Sequence, residues 1–293
     1  FSLLIYLAIF LYIYFSNSII FNEKKYKILI IFLILFSPPM TPEIWLTVAH
    51  AKAYFGIFSF ILLFQDFKNL ENYKKIIYRF TLIFSGLSSI YASVFAPIYF
   101  LKFIIEKNKD SFLNFLCSLL PLVINLFTFI RFFSNANVDR FVFDINKIES
   151  FSYNILIRPF FGSSIPKFFH SKLNIENNDT IFIALFLLII ISIFFAYKIY
   201  QKKDKIIILI VASFLLQSSF VFIGSLYSDF VGGRYAVIPG IILLTLFIRL
   251  FQTEQSYLYR NLFAFFILMS LTTGFLEFKY FSPLPNIISC ISV

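Results

Sequence analysis

Charge is scarce in this chain: Asp, Glu, Lys and Arg make up 14% of its 293 residues, while apolar residues make up 60%. A soluble domain has about a quarter of its residues charged and about half apolar, so a body solvated by water is excluded. Cysteine is almost missing, with Cys117 inside an apolar stretch and Cys290 near the end. Two cysteines in such different contexts argue against a disulfide framework, and no Cys-x-x-Cys pair offers a zinc site. Also missing are a Walker loop, a nucleophile elbow, a His-Glu-x-x-His helix and a dinucleotide fingerprint. No repeat relates the two halves, which counts against transporters built from inverted repeats. The opening Phe1-Ser2-Leu3-Leu4 has no Met, and no basic stretch or small-residue cleavage site makes it a signal peptide. The expectation is a fragment that lacks upstream sequence.

What the chain does contain is apolar length, with a mean hydropathy of +0.86. Apolar segments fall at about 2–21, 27–39, 43–64, 76–90, 91–105, 112–132, 180–198, 206–224, 235–251 and 261–276. A spanning helix needs roughly 20 apolar residues, so the expected fold is all-α. It is a single integral membrane domain over 1–293, a polytopic bundle of about ten spans.

The few charges are sorted. Every second break holds bases: Lys24, Lys25, Lys27; then Lys68, Lys74, Lys75, Arg79; then Lys102, Lys107, Lys109; then Lys198, Lys202, Lys203, Lys205; then Arg249 and Arg260. Against these 16 bases stand 7 acids, Glu23, Asp66, Glu71, Glu106, Asp110, Asp204 and Glu254, a surplus of nine within a net charge of +10. The remaining breaks balance, 8 bases against 8 acids. Cytoplasmic loops retain Lys and Arg, so the basic breaks are expected inside a bacterial cytoplasmic (inner) membrane that the chain crosses many times. The bases are split among five short breaks, so membrane lipids are the expected partners and nucleic acid is not. Lys52 is left over within an apolar segment, where an ionisable group usually faces a cavity or a partner, or snorkels to the surface.

Segments 76–90 and 91–105 are short. Between them Ser85-Gly86-Leu87-Ser88-Ser89-Ile90-Tyr91-Ala92-Ser93, followed by Pro97, reads as a tight hairpin of small residues that stops short of the far interface. The one long break, 133–179, has too many aromatics for disorder. It is expected as an extracytoplasmic loop, an interfacial helix or lid lying on the membrane.

Chemistry-bearing residues gather on the neutral side. In Thr41-Pro42-Glu43-Ile44-Trp45, Thr41 suits an N-cap, Pro42 the first helical position and Glu43 the first turn. Thr47 and His50 follow Glu43 on the same helical face. Glu43 or His50 would serve as acid, base or hydrogen-bond donor; a capped helix start with a packed histidine is the plainer account. In Tyr227-Ser228-Asp229-Phe230-Val231-Gly232-Gly233-Arg234-Tyr235, two glycines permit close backbone approach to a ligand. Arg234 there offers a fork for phosphate or carboxylate, and Asp229 either orients it or binds a cation. An interfacial anchor of Arg234 and Tyr235 is the alternative. The span that follows is expected to be interrupted by Pro239-Gly240. Arg158 with Pro159, Lys167 and His170 forms a looser basic group, for which headgroup contact is the simpler reading.

Three of these pieces together resemble bacterial polytopic proteins related to the GT-C membrane glycosyltransferase superfamily. They are Pro42-Glu43-Ile44-Trp45; Gly86-Leu87-Ser88-Ser89 with Ala96-Pro97; and Gly233-Arg234-Tyr235 with Pro239, over roughly residues 38 to 250. The resemblance implies transfer of a sugar from a polyprenyl-phosphate donor on the extracytoplasmic face. A carboxylate would deprotonate the acceptor hydroxyl, and cations would stabilise the departing lipid phosphate. Arg234, with Lys52, matches the phosphate role. The family's acidic signature lies in the first outer loop, upstream of Phe1, so no residue here is assigned to it; Glu43 and Asp229 are candidates for a second acid. No cofactor is identified, and a divalent cation stays open. The alternative is a transporter, flippase or polysaccharide polymerase, with Lys52, His50 and the small-residue hairpin lining the path. A third reading is a non-catalytic membrane subunit.

Overall fold

A computed structural model of the protein describes residues 2–21, 23–36, 51–133, 151–162, 197, 201, 204–226 and 236–280. Among them the chain is helical, with no strand beyond an isolated bridge between Ser18 and Gln65. In chain order the helices are α1 (Ser2–Phe15), α2 (Lys24–Phe36), α3 (Ala51–Leu63), α4 (Asn72–Ser88), α5 (Ile90–Ser93), α6 (Ala96–Glu106) and α7 (Lys109–Phe133). A π-helical turn, Tyr153–Ile157, leads into α8 (Arg158–Phe161), followed by α9 (Lys205–Leu226), α10 (Val237–Thr253) and α11 (Tyr257–Tyr280). Each apolar segment expected from the sequence meets a helix, except 180–198, which lies outside the described residues apart from Tyr197. Segment 91–105 is divided between α5 and α6.

The charged breaks start and stop these helices. Asn108 Oδ1 accepts the Ser111 amide at 2.7 Å and Asp204 Oδ1 accepts the Ile206 amide at 2.8 Å, so each caps a helix start. Lys107, at φ 50°, closes α6 in the left-handed conformation and donates its amide to the Phe103 carbonyl. Pro239 and Gly240 do not interrupt a span. They fall in the first turn of α10, where the missing N–H of a proline has no helical partner to lose.

At the core runs α10, buried from Val237 to Leu246 and apolar all round, as a helix enclosed on every side should be. It packs on α2, α3, α8, α9 and α11. The basic breaks converge at one end of the bundle. Lys27 Nζ donates to the Tyr14 and Ser16 carbonyls (3.2 and 2.5 Å) at the close of α1. Ile19 N–H bonds the Phe64 carbonyl at 2.9 Å, tying the α1–α2 break to the end of α3. Lys102 is buried and donates to the Leu63 carbonyl at 2.5 Å, joining α6 to the same place. Lys75 and Arg79 of α4 hold Asp110 of α7 at 2.9 and 2.6 Å, and Arg249 of α10 holds Asp204 ahead of α9 at 2.8 Å. Tyr26 stacks edge-on against Phe251 and completes this basic end.

Three helices among the described residues are long and apolar enough to cross a membrane: Lys109–Arg131, Lys205–Gly224 and Tyr257–Leu276. Their exposed sides are apolar, with Phe112, Leu116, Leu120, Phe127 and Ile130 on α7 and Leu258, Leu262, Phe265 and Leu268 on α11. The turn between α4 and α6 packs beside Pro121 and Asn125 of α7. From Asn125 α7 continues for eight residues, about 12 Å, so the hairpin stops well short of the end of its neighbour.

Candidate functional site

Of the residues singled out in the sequence, Glu43, His50, Asp229, Arg234 and Tyr235 lie outside the described residues, as do Thr41, Pro42, Thr47, Lys167 and His170. Lys52 and Arg158 are described. Lys52 begins α3 with an exposed side chain, and its backbone carbonyl accepts the Ser89 hydroxyl at 2.6 Å.

That bond lies away from the basic end, at a junction of α3, α4, α5, α7, α9 and α10. Ser89, extended at φ −149° and ψ 120°, separates α4 from α5. Such a break strands backbone groups, and in lipid each must find a partner inside the protein. Asn125 Nδ2 donates to the Gly86 carbonyl at 2.9 Å and to Ser93 Oγ at 3.1 Å. Gln217 Nε2 donates to the Tyr91 carbonyl at 2.8 Å. Tyr91 packs edge-on against Phe220 of α9. Gly56 lets α3 approach α10, for a Cβ there would stand 2.5 Å from Ile238 Cδ1 and 3.1 Å from Tyr91 Cβ. The junction is not saturated. Among the described residues, Gln217 Oε1, on a residue of 0% exposure, has no hydrogen-bond donor, and neither Ser85 Oγ nor Ser218 Oγ has a partner. A buried acceptor in that state can take a donor from water or from a hydroxylated ligand.

Arg158 stands in a second polar feature that touches the first through α9. Phe151 packs on Phe222 at 5.0 Å, and Phe160 sits among Phe247 (4.8 Å), Phe266 (5.1 Å) and α11, where Thr273 Oγ1 donates to its carbonyl at 3.0 Å. Pro159 and Phe160 are buried, as are Ser152, Asn154, Ile155 and Leu156. Residues 151–162, the described part of the expected lid, therefore pack against α9, α10 and α11. Arg158 Nη1 donates to Asn154 Oδ1, four residues earlier, at 3.0 Å. Its Nε is buried without a hydrogen-bond partner, and among the described residues no carboxylate lies within ion-pair distance of it. Among the described residues its one side-chain partner is thus a neutral amide.

The amides that satisfy the break, Asn125 and Gln217, carried a signal that charge sorting passes over: each is a polar side chain inside an apolar segment. Among the described residues no cluster of three or more His, Cys, Asp or Glu could hold a metal ion. No protein-family model, no curated protein and no solved structure matches the chain.

Proposed function

We propose that the protein is a multi-pass enzyme of the bacterial cytoplasmic membrane, with about ten spans. In this reading it transfers a sugar from a polyprenyl-phosphate donor to an acceptor on the face opposite its basic end. The observation that carries the reading is Arg158: a half-buried guanidinium whose Nε has no hydrogen-bond partner and which pairs with no carboxylate of the described residues. An arginine within the span region of a membrane protein marks a functional site by default, and its fork suits a phosphate. The sorted charges and the apolar outer sides of α7 and α11 support the embedding. In the reaction the acceptor oxygen attacks the anomeric carbon and its proton passes to a carboxylate, for which Glu43 and Asp229 are the candidates. The bond from that carbon to the phosphate oxygen breaks, and the electron pair leaves with the polyprenyl phosphate. Arg158, Arg234 and Lys52 are the cations proposed to receive that charge, with His50 and Tyr235 as further donors to the substrate.

Transfer in proteoliposomes from a polyprenyl-phosphate sugar tests this. Arg158→Ala is expected to lower kcat by about 10²-fold or more, as for loss of one oxyanion-type donor, and Arg158→Lys to recover only part of it. Unchanged turnover and donor dependence in Arg158→Ala would remove the phosphate role.

A second reading, a transporter, flippase or polymerase, is favoured by one observation. Gln217 Oε1, Ser218 Oγ and Ser270 Oγ are buried without partners, as polar atoms along a solute path would be. Counterflow of labelled solute without chemical transfer separates the two.

Topology has its own test. In a Cys117→Ser, Cys290→Ser background, Lys109→Cys and Ser256→Cys should label from one side of the membrane and Arg131→Cys from the other. Labelling of all three from the same side would overturn the crossing of α7.

A further inference from the structure

The turn between α6 and α7 carries free positive charge, because its acids are already engaged. Glu106 receives the Ser111 hydroxyl, the Asn108 amide at 3.1 Å and the Lys102 ammonium at 3.7 Å. Asp110 is held by Lys75 and Arg79. Lys107 and Lys109 are exposed, and among the described residues neither has an ion-pair partner. From this turn a seam runs between the two helices. The ring pairs Phe103–Phe112 (5.2 Å) and Phe100–Phe115 (5.0 Å) close its first stretch. Beyond them α6 and α7 part around a crevice of about 260 Å³, lined by Ala96, Pro97, Phe100, Phe115, Leu119 and Leu122. Every lining residue is apolar, and Phe100, Leu116 and Leu120 beside it are exposed.

The spacing matches one kind of molecule. At 1.5 Å per residue, Phe100 and Ala96 lie about 10 and 16 Å along α6 from Lys107. Half the hydrocarbon thickness of a bilayer is about 15 Å. A phosphate held at the turn, a few ångström outside the hydrocarbon, therefore lays the middle of its acyl chain in the crevice. We propose that the α6–α7 seam binds one anionic phospholipid of the leaflet at the basic end. Its phosphate lies between Lys107 and Lys109, and one acyl chain follows the ring pairs into the crevice. A zwitterionic headgroup would leave the two lysines uncompensated, and this decides between the lipid classes. The inference rests on the membrane embedding proposed above and is independent of sugar transfer.

Native mass spectrometry of the full chain in detergent, titrated with phosphatidylglycerol or with phosphatidylcholine of matched chains, tests it. One phosphatidylglycerol should be retained in preference. Lys107→Ala/Lys109→Ala is expected to weaken it about tenfold and to leave phosphatidylcholine unchanged. Lys68→Ala/Lys205→Ala removes the same charge from the same end and should leave retention intact. Leu119→Trp fills the crevice and should weaken phosphatidylglycerol. The wild-type chain should likewise lose affinity for phosphatidylglycerol whose chains are too short to reach Phe100, a comparison that needs no folded variant. Equal losses in the two lysine variants, or no loss in either, would overturn the headgroup site. Short-chain lipid bound as tightly as long-chain lipid would overturn the crevice. Failure of sugar transfer in proteoliposomes alters none of these outcomes.

Discussion

Lys102→Ala is expected to destabilise the bundle by about 3–5 kcal/mol, a cavity and a lost charge-assisted hydrogen bond acting together. The residue is 4% exposed, and its ammonium bonds the last carbonyl of α3 at 2.5 Å. The final carbonyls of a helix have no partner within it, and at this site the protein interior supplies one from 39 residues away. Lys102→Met separates the two contributions. Methionine refills most of the volume and leaves the Leu63 carbonyl bare, so a loss of about 1.5–3 kcal/mol should persist. Thermal unfolding in detergent, followed by intrinsic fluorescence, measures both. A Met variant as stable as the wild type would show that the ammonium does not support α3.

Gly86→Leu should be the most disruptive single change in the α4–α7 contact. A Cβ at Gly86 would stand 2.6 and 2.7 Å from Cβ and Cγ of Pro121, atoms of a ring that cannot swing aside. The helices would have to separate, and Asn125 would lose the Gly86 carbonyl it now bonds at 2.9 Å. For Gly86→Ala overpacking alone predicts a loss of about 1–3 kcal/mol; leucine adds three more carbons to the same wall. Gly56→Ala meets the flexible end of Ile238 at 2.5 Å and should cost less. Gly224→Ala meets nothing within 4 Å and should be neutral or stabilise by up to about 1 kcal/mol. The order Gly86, Gly56, Gly224 in melting temperature checks the account, and a Gly86→Ala variant as stable as Gly224→Ala would sink it.

The helices were legible in the sequence because their segments are apolar while the breaks between them carry charge. The clustering of the basic breaks was legible too, since sorting by sign needs no knowledge of partners. The partners themselves were hidden. Lys102 read as one base among three in a break, although it lies inside α6 and serves a backbone carbonyl. No residue type marks a carbonyl acceptor, so such a bond leaves no trace in the pattern. The small residues of 85–93 announced a close contact but not that Pro121 would fill it. Arg158 was noticed for its charge and placed at a surface. Its burial follows from Phe151 and Phe160, which look like interfacial aromatics until α9, α10 and α11 assemble around them. Most of the proposed substrate-facing residues lie outside the described residues, so the site was read further in the sequence than in the structure.

The enclosed position of α10 bears on how the protein is made. Its neighbours α2, α3 and α9 leave the ribosome before it, and α11 follows. Until α10 arrives, the parts of α2, α3 and α9 that pack on it are left uncovered. Lipid tails or a neighbouring polypeptide can cover them in the interval. A chain halted after α9 is thus expected to offer that apolar surface to a wrong partner.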